Sequence, residues 1–231
     1  MKTDGIASAA SALRYWERRQ EIAANNLANV NTDGFKGELG FAQLSATGVP
    51  LPNAATDWRE GPLTPTGNPL DVAVRGNQFF VVNTPQGERY TRGGAWTIDP
   101  QGFLADADGN RLAGEKGPLK VRGSDISIDR TGRVSVDGTW IDRLRMESVP
   151  PNTTLQHEHG TRWVPDATRQ VVAMDARDVR QSHLEGSNVN SIESLVDMIS
   201  ISRNFAFAQK ALSTLDDIRA TISNQLGKPT G

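Results

Sequence analysis

The sequence predicts an α+β fold in which long N- and C-terminal helices form a coiled-coil layer and a central antiparallel β domain lies between them. Apolar residues alternate at spacings of three and four near both ends of the chain. The middle breaks into short runs rich in β-branched and aromatic residues, separated by turn-forming residues. A length of 231 residues suffices for one ordinary domain with extensions.

The first helix is predicted from about Asp4 to Val30, because no glycine or proline follows Gly5 in this stretch. Its seam keeps heptad spacing across eight positions, and only one of them is polar. These positions are Ile6, Ala9, Leu13, Trp16, Gln20, Ala23, Leu27 and Val30. The run Asn31-Thr32-Asp33-Gly34 marks the end of the helix, with Gly34 suited to a left-handed cap.

The last helix is predicted from about Asn190 to Leu226, with Asn190 or Ser191 as its N-cap. The register of its apolar stripe slips by one residue near Ser202. The stripe consists of Ile192, Leu195, Ile199, Phe205, Ala208, Leu212, Leu215, Ile222 and Leu226. Gly227 and Pro229 are expected to end the helix.

Between the helices, six short runs have the composition of strands, and turn residues separate them. They are Asp71–Val74, Gln78–Val82, Ala95–Ile98, Ile126–Ile128, Arg133–Val136 and Arg143–Val149. Four prolines within 51–69 favour an extended linker, and 152–163 is predicted to be irregular. The predicted divisions are 1–36 (helix and cap motif), 37–69 (linker), 70–183 (β domain) and 184–231 (C-terminal helix).

The N-terminal seam is thin, since alanine fills two of its positions and glutamine a third. Burial of its few large side chains cannot offset the conformational entropy of an isolated helix of this length. We therefore expect neighbouring subunits to complete the helices. Periodicity is equally compatible with helices that dock on the β domain or form a closed bundle. The predicted assembly residues are Ile6, Leu13, Trp16, Ala23, Leu27, Val30, Asn26, Asn29, Ile192, Leu195, Ile199, Phe205, Leu212, Leu215 and Ile222.

Composition excludes several chemistries. The chain has no cysteine, which removes disulfides, thiolate metal sites and cysteine nucleophiles. A net charge of −2 without basic runs argues against nucleic-acid binding, and no apolar run is long enough for membrane insertion. Three scattered histidines and no nucleophile elbow predict no catalytic site and no cofactor.

Two motifs resemble metal sites, but each has a simpler explanation. His157-Glu158-His159 offers too few ligands for a structural metal, and alternate residues of an extended segment point apart. The segment Asp106–Asn110 resembles the start of a calcium loop, yet Gly117 stands where the bidentate glutamate would be required. We predict a hairpin turn there and no metal.

The five tryptophans leave a second function open. Trp16 belongs to the helical seam, and the other four could stack on sugar rings or serve as packing anchors of a small β domain. They are Trp58, Trp96, Trp140 and Trp163. Packing is the simpler interpretation, and a carbohydrate- or peptidoglycan-contacting module is the alternative.

Four blocks resemble the flagellar rod, hook and hook-associated proteins, in the same order along the chain. They are IAANNLANVNTDGFKG (Ile22–Gly37), PLDVAVRGNQFFVV (Pro69–Val82), RYTRGGAWTIDPQGFLADADGNRLAG (Arg89–Gly114) and LEGSNVNSIESLVDMIS (Leu184–Ser200). The chain is short for a hook protein and is more similar to a rod subunit. Its segment Ile201–Phe205 looks like the proximal rod type, and the distal rod type is the near alternative.

The resemblance implies a structural, non-enzymatic subunit that polymerises through its terminal helices into a helical axial tube that transmits torque. Copies of itself, other rod subunits and the flagellar export apparatus are the implied partners. The implied location is the periplasmic part of the basal-body rod, reached without a cleaved signal peptide. The terminal helices would form the inner layer of the tube, with the β domain outside.

Overall fold

A computed structural model describes residues 5–44, 50–150 and 153–226. The chain forms two compact units. The terminal unit contains the described parts of 1–28, 38–56 and 190–231, and the β unit contains 29–37 and the described parts of 57–189. An N-terminal helix, a C-terminal helix and a central antiparallel β domain confirm the predicted α+β class.

Both predicted helices are present within two residues of their predicted ends. Helix α1 spans Gly5–Ala28 and helix α2 spans Ser191–Leu226. Asn190 caps α2, because its Oδ1 atom accepts the backbone N–H groups of Ile192 at 3.0 Å and Glu193 at 3.3 Å. This satisfies two of the amide groups that have no partner inside the helix.

The two helices of the terminal unit contact each other and run antiparallel. A β-carbon at Gly5 would lie 3.9 Å from Leu215 Cδ1, so the start of α1 lies beside this part of α2. The buried residues Ile201 and Ala208 precede Leu215 in α2. They can face α1 only if the two helices run in opposite directions.

The segment predicted to be an extended linker contains a hairpin. Strand β1 (Glu38–Leu44) pairs antiparallel with β2 (Pro50–Thr56) in the terminal unit. The strand β2 was not predicted because it contains two prolines, which are typical of a linker. Proline is nevertheless tolerated in a strand that is paired on one edge only. In the described residues β2 pairs with β1 alone. A third strand, β3 (Leu63–Pro65), lies in the same predicted linker but belongs to the β unit.

The β unit contains the remaining strands. They are β4 (Val72–Val74), β5 (Gln78–Thr84), β6 (Gly87–Thr91), β7 (Thr97–Ile98), β8 (Leu104–Ala105), β9 (Arg111–Gly114), β10 (Gly117–Pro118), β11 (Ile126–Ile128), β12 (Arg133–Val136), β13 (Thr139–Arg143), β14 (Met146–Ser148), β15 (Gln156–His159), β16 (Arg162–Val164), β17 (Gln170–Val171), β18 (Val179–Gln181) and β19 (His183–Glu185). A 3-10 turn covers Met174–Ala176.

Strand β5 lies inside the largest sheet, which has ten strands in the described residues and runs β15-β16-β6-β5-β9-β8-β7. Strand β10 joins β9, β14 joins β5, and β17 joins β14. The strands β11-β12-β13 form a separate sheet, and β18–β4 and β19–β3 form two isolated pairs. Every pairing among the described strands is antiparallel.

Both faces of β5 are buried, which explains why it appears in the sequence as a continuous apolar run. Phe80 and Val82 point into the larger core cluster, and Phe79 and Val81 point into a smaller one. Successive side chains of a strand alternate between its faces, so a strand covered on both sides needs apolar residues throughout. The two clusters therefore hold the sheet between them.

The prediction of an irregular segment over 152–163 is wrong for most of its described part. Strands β15 and β16 form a hairpin there, with a register shift between His157 and His159. The polar residues of β15 gave no alternating apolar signal, and the bulge breaks the two-residue period. Strand β16 pairs in turn with β6, so the hairpin extends the main sheet.

Gly34 adopts the predicted left-handed conformation but does not cap α1. Its φ angle is 71°, and the helix ends six residues earlier at Ala28. The backbone N–H of Gly34 donates to the backbone carbonyl of Glu185 at 2.6 Å, within the β unit. A β-carbon at this position would lie 2.3 Å from the carbonyl carbon of Arg92. Only glycine fits at position 34, because its backbone lies against the backbone of Arg92 and leaves no room for a side chain.

We expect Gly34→Ala to destabilise the β unit more than Gly67→Ala. Both glycines have positive φ, but a β-carbon at Gly67 meets nothing within 4 Å. The conformational penalty of about 1 kcal/mol applies to both, and overpacking of about 1–3 kcal/mol is added only at Gly34. Urea denaturation followed by tryptophan fluorescence measures the difference. Equal losses in the two variants would contradict the close-approach explanation.

Candidate assembly interface

The predicted assembly residues of the N-terminal segment are mostly covered by their own unit. Leu13, Trp16 and Leu27 are half-buried in α1, and Ala23 is buried. The structure does not describe the side chain of Ile6. Val30 lies after the helix, in the β unit, where it is half-buried.

The predicted residues of α2 fall into two groups. Phe205, Leu212 and Leu215 are half-buried. Ile192, Leu195 and Ile199 are exposed, with 72%, 48% and 54% of their surface accessible. The side chain of Ile222 is outside the described residues. Which of these residues contact another subunit stays a prediction.

Helix α2 therefore has two apolar faces. The inward face is a heptad series whose two most buried members are Ile201 and Ala208. The predicted stripe contained Ala208 but ran through Ile199, so it missed Ile201. At about 100° per residue, the exposed residues lie on the opposite side of the helix. This outward face consists of Ile192, Leu195, Val196, Ile199 and Phe207.

Helix α1 packs on two partners, and a single heptad seam accounts for only one of them. Ile22 is 4% exposed, the lowest exposure of any large apolar residue described in this helix. A β-carbon at Gly40 of the hairpin would lie 3.1 Å from Ile22 Cδ1. Arg19 donates to the Gly40 carbonyl at 3.1 Å. The hairpin thus covers the side of α1 next to the seam.

The two asparagines predicted at the interface make bonds inside the chain. The amide nitrogen of Asn26 donates to the Glu38 carbonyl and its Oδ1 accepts the Glu38 N–H, both at 2.9 Å. This pair of bonds fastens the start of β1 to α1. Asn29 accepts the hydroxyl of Thr32 at 3.2 Å, which is typical of a local turn.

The loop after α1 is anchored in the β unit by a buried ionic cluster. Lys36 and Glu185 form an ion pair of 2.7 Å in which both side chains are almost inaccessible. The other carboxylate oxygen of Glu185 accepts Nε of Arg92, also at 2.7 Å. Glu185 Oε1 additionally accepts the N–H of Gly61 at 3.0 Å. We call Lys36, Arg92 and Glu185 the anchor cluster.

Each cation of the anchor cluster has further partners. Arg92 donates to three backbone carbonyls around the β4–β5 turn: Gly76 at 2.7 Å, Gln78 at 2.5 Å and Val74 at 2.9 Å. Lys36 donates to the Arg59 carbonyl at 2.7 Å. Burial lowers the pKa of the Lys36 ammonium, and the negative charge of Glu185 opposes this effect.

The segment before α2 is held at the same place. The Asn188 side chain accepts the N–H of Gly37 at 2.8 Å and donates to the Asp57 carbonyl at 2.7 Å. The backbone N–H of Asn188 donates to the Phe35 carbonyl at 3.4 Å. The continuation of α1 and the approach to α2 are therefore bonded to each other within the β unit, through residues 151 positions apart in the chain.

The described residues contain no cluster of three histidine, aspartate or glutamate side chains suited to a metal ion. The ring of His157 contacts the Gly160 carbonyl at 2.8 Å, and Glu158 forms an ion pair of 2.7 Å with Arg89. In the 106–110 turn, Asp106 accepts the N–H groups of Asp108 and Asn110. These bonds are those of a hairpin turn.

Most tryptophans of the β unit are packing residues. Trp96 and Trp163 are buried in the two core clusters. The half-buried Trp58 packs against Trp163 with ring centroids 5.1 Å apart. Trp140 is exposed, and Lys116 Nζ lies 4.1 Å from its ring centroid. Among the described residues, these positions do not form a row of exposed indole rings on which a sugar chain could stack.

No described helix has an apolar stretch long enough to span a bilayer.

Three protein-family profiles match successive parts of the chain. The flagella basal body rod protein profile matches 6–36, the flagellar hook protein FlgE/F/G D1 domain profile matches 73–136, and the flagellar basal body rod FlgEFG protein C-terminal profile matches 180–226. Flagellar basal-body rod protein FlgF of Escherichia coli K12 is 31% identical, over 96% of this chain and 97% of its own length. The chain belongs to the flagellar basal-body rod protein family.

Other members of this family are similar along almost the whole chain. FlgF of Salmonella typhimurium is 30% identical over 92% of this chain and 94% of its own length. The rod protein FlgG of Agrobacterium fabrum is 27% identical over 96% and 98%. The first and last matched parts contain both segments that the anchor cluster joins, with Lys36 in one and Glu185 in the other.

We expect Glu185→Gln to destabilise the β unit by about 3–5 kcal/mol, because it leaves Lys36 and Arg92 buried without their counter-charge. The matched control is Asp178→Asn, which weakens two solvent-accessible pairs, with Arg130 at 3.2 Å and Arg180 at 3.0 Å, and should cost less than about 2 kcal/mol. Chemical denaturation of the purified variants measures both. A loss in Glu185→Gln no larger than in the control would contradict the role of the anchor cluster.

Proposed function

We propose that this protein is a non-enzymatic structural subunit of the flagellar basal-body rod and that it assembles through its terminal unit. Membership of the rod protein family supports the first part. The outward apolar face of α2 carries the second part, because solvent-exposed apolar residues at helical spacing mark a surface that another protein covers. Its proposed partners are copies of itself and other rod subunits.

The terminal unit has little internal core to sustain it alone. Its buried apolar residues, among those described, are Ile22, Ala23, Ile201 and Ala208. Two of the four are alanines, which bury little apolar surface. Such a unit gains proportionately more from neighbours than the β unit does, and non-closing contacts between copies generate helical assemblies.

Within the family we propose the proximal type, with the distal type as the second candidate. The segment Ile201–Phe205 supports the proximal assignment, and the E. coli relative carries the corresponding name, FlgF. Similarity to FlgG over the whole chain favours keeping the distal type as the alternative. Both types make the chain part of the rod.

The remaining elements of the proposal concern location and delivery. We propose the periplasmic part of the basal body and delivery by the flagellar export apparatus, without a cleaved signal peptide. The lack of cysteine supports passage in an unfolded state, because no disulfide has to form or open. Nucleic-acid binding and membrane insertion are not part of the proposed function.

We expect Ile199→Asp to abolish rod assembly and motility while leaving the melting of the β unit unchanged. Ile199 is 54% exposed, so the folded monomer tolerates a carboxylate there, but a subunit contact would bury the charge. Gln209→Asp is the control, since this exposed residue of α2 lies about 80° around the helix axis from Ile199. Soft-agar motility and electron microscopy of basal bodies, in cells lacking the native gene, measure the outcome. Normal motility of Ile199→Asp cells contradicts the proposed surface.

We also expect amides of the terminal unit to exchange faster than those of β5 in a dilute monomer. The terminal unit has few buried apolar side chains, so it should open at a lower free energy than the β unit. Amides in α2 after its first turn should exchange at least ~10-fold faster than those of Phe80 and Val82. Hydrogen exchange with mass spectrometry at low micromolar concentration measures both. Equal protection would show that the helices need no neighbours.

A further inference from the structure

Resting on the proposed function, we propose that the outward face of α2 docks on the exposed side of α1 around Glu17 in a second copy, with Arg203 paired to that Glu17. The first observation is the setting of Arg203 in α2. Its neighbours one and two turns earlier, Ile199 and Val196, are apolar and exposed, as is Phe207 one turn later. They place a cation within an apolar surface.

Arg203 has no acidic partner in the described part of its own chain. It forms no ion pair there, and the residues at positions 199, 200, 206 and 207 carry no charge. It lines a shallow hollow of about 280 Å³ together with Val196, Ile199, Ser200 and Asn204. A partner that covers the apolar residues must also supply an anion, because a desolvated guanidinium needs one.

Helix α1 presents a surface with the complementary properties. Glu17 is exposed and forms no ion pair within the described residues, whereas the nearby Glu21 already pairs with Arg18 at 3.0 Å. Residues one heptad before and after Glu17 are Ala10 and Ala24. Small residues allow the large side chains of a second helix to approach closely. A helix with bulky apolar residues around a cation can therefore approach α1 at Ala10 and Ala24 and reach the Glu17 carboxylate between them.

The two charged residues cannot meet within one terminal unit. Arg203 lies about 160–200° around α2 from Ile201 and Phe205, which belong to the inward face. Glu17 follows Gly5 by twelve residues and Arg203 precedes Leu215 by twelve, so both lie about 18 Å along the antiparallel pair from the Gly5–Leu215 contact. Two copies side by side, with only the small axial displacement between neighbours of a helical assembly, would therefore bring Arg203 of one within reach of Glu17 of the next.

Site-specific cross-linking tests this contact, because the native chain has no cysteine. The variant Glu17→Cys with Arg203→Cys is expressed in cells lacking the native gene and treated with a short bis-maleimide. We expect covalent dimers and higher oligomers in isolated basal bodies. The control, Glu17→Cys with Gln209→Cys, moves one thiol off the outward face and should give at least five-fold less product.

The outcomes separate this inference from the proposed function. Basal bodies that contain the protein but yield no more product than the control overturn the Arg203–Glu17 contact and leave the rod assignment intact. Absence of the unsubstituted protein from isolated basal bodies overturns both.

Charge reversal provides an independent measurement. We expect Arg203→Glu and Glu17→Arg each to reduce the soft-agar swarm to less than half the native diameter, and their combination to restore most of it. Gln209→Glu, which also introduces a carboxylate on α2 but outside the outward face, should swarm normally. A double variant no better than the worse single variant contradicts the pairing.

Discussion

The buried carboxylate of Glu185 is the constraint on which the organisation of the chain depends. It binds the ammonium of Lys36, the guanidinium of Arg92 and the backbone N–H of Gly61. A carboxylate without solvent costs several kcal/mol unless charges and donors surround it, so these segments must dock together. Chain segments that continue toward both terminal helices are thereby held at one place in the β unit.

This anchoring contrasts with the thin core of the terminal unit. The β unit buries large side chains on both faces of β5, whereas the terminal unit buries two isoleucines and two alanines among its described apolar residues. The chain thus combines a part that can be stable by itself with a part that leaves an apolar helix face uncovered. That division is what a subunit requires if it folds first and completes its core in an assembly.

Local patterns predicted the helices and the central strands, because each signal lies within a few residues. Heptad spacing located α1 and α2, and the apolar run of β5 reflects burial on both faces. The hairpin β1–β2 was missed because β2 contains prolines, which an edge strand tolerates but a central strand does not. The anchor cluster joins residues 149 apart, which no spacing rule connects. Ile22 was missed because one heptad seam assumes one partner, and α1 packs on two.

The buried charges of the β unit and the exposed cation of α2 have different physical roles. Lys36 and Arg92 meet their carboxylate inside the chain, where the pair selects one arrangement of the fold. Arg203 lies among exposed apolar residues, which by themselves would accept any apolar helix in several axial positions. A cation in that face penalises every position that leaves it without a carboxylate. In the proposed contact, apolar burial supplies the affinity between subunits, and the charge of Arg203 selects their register.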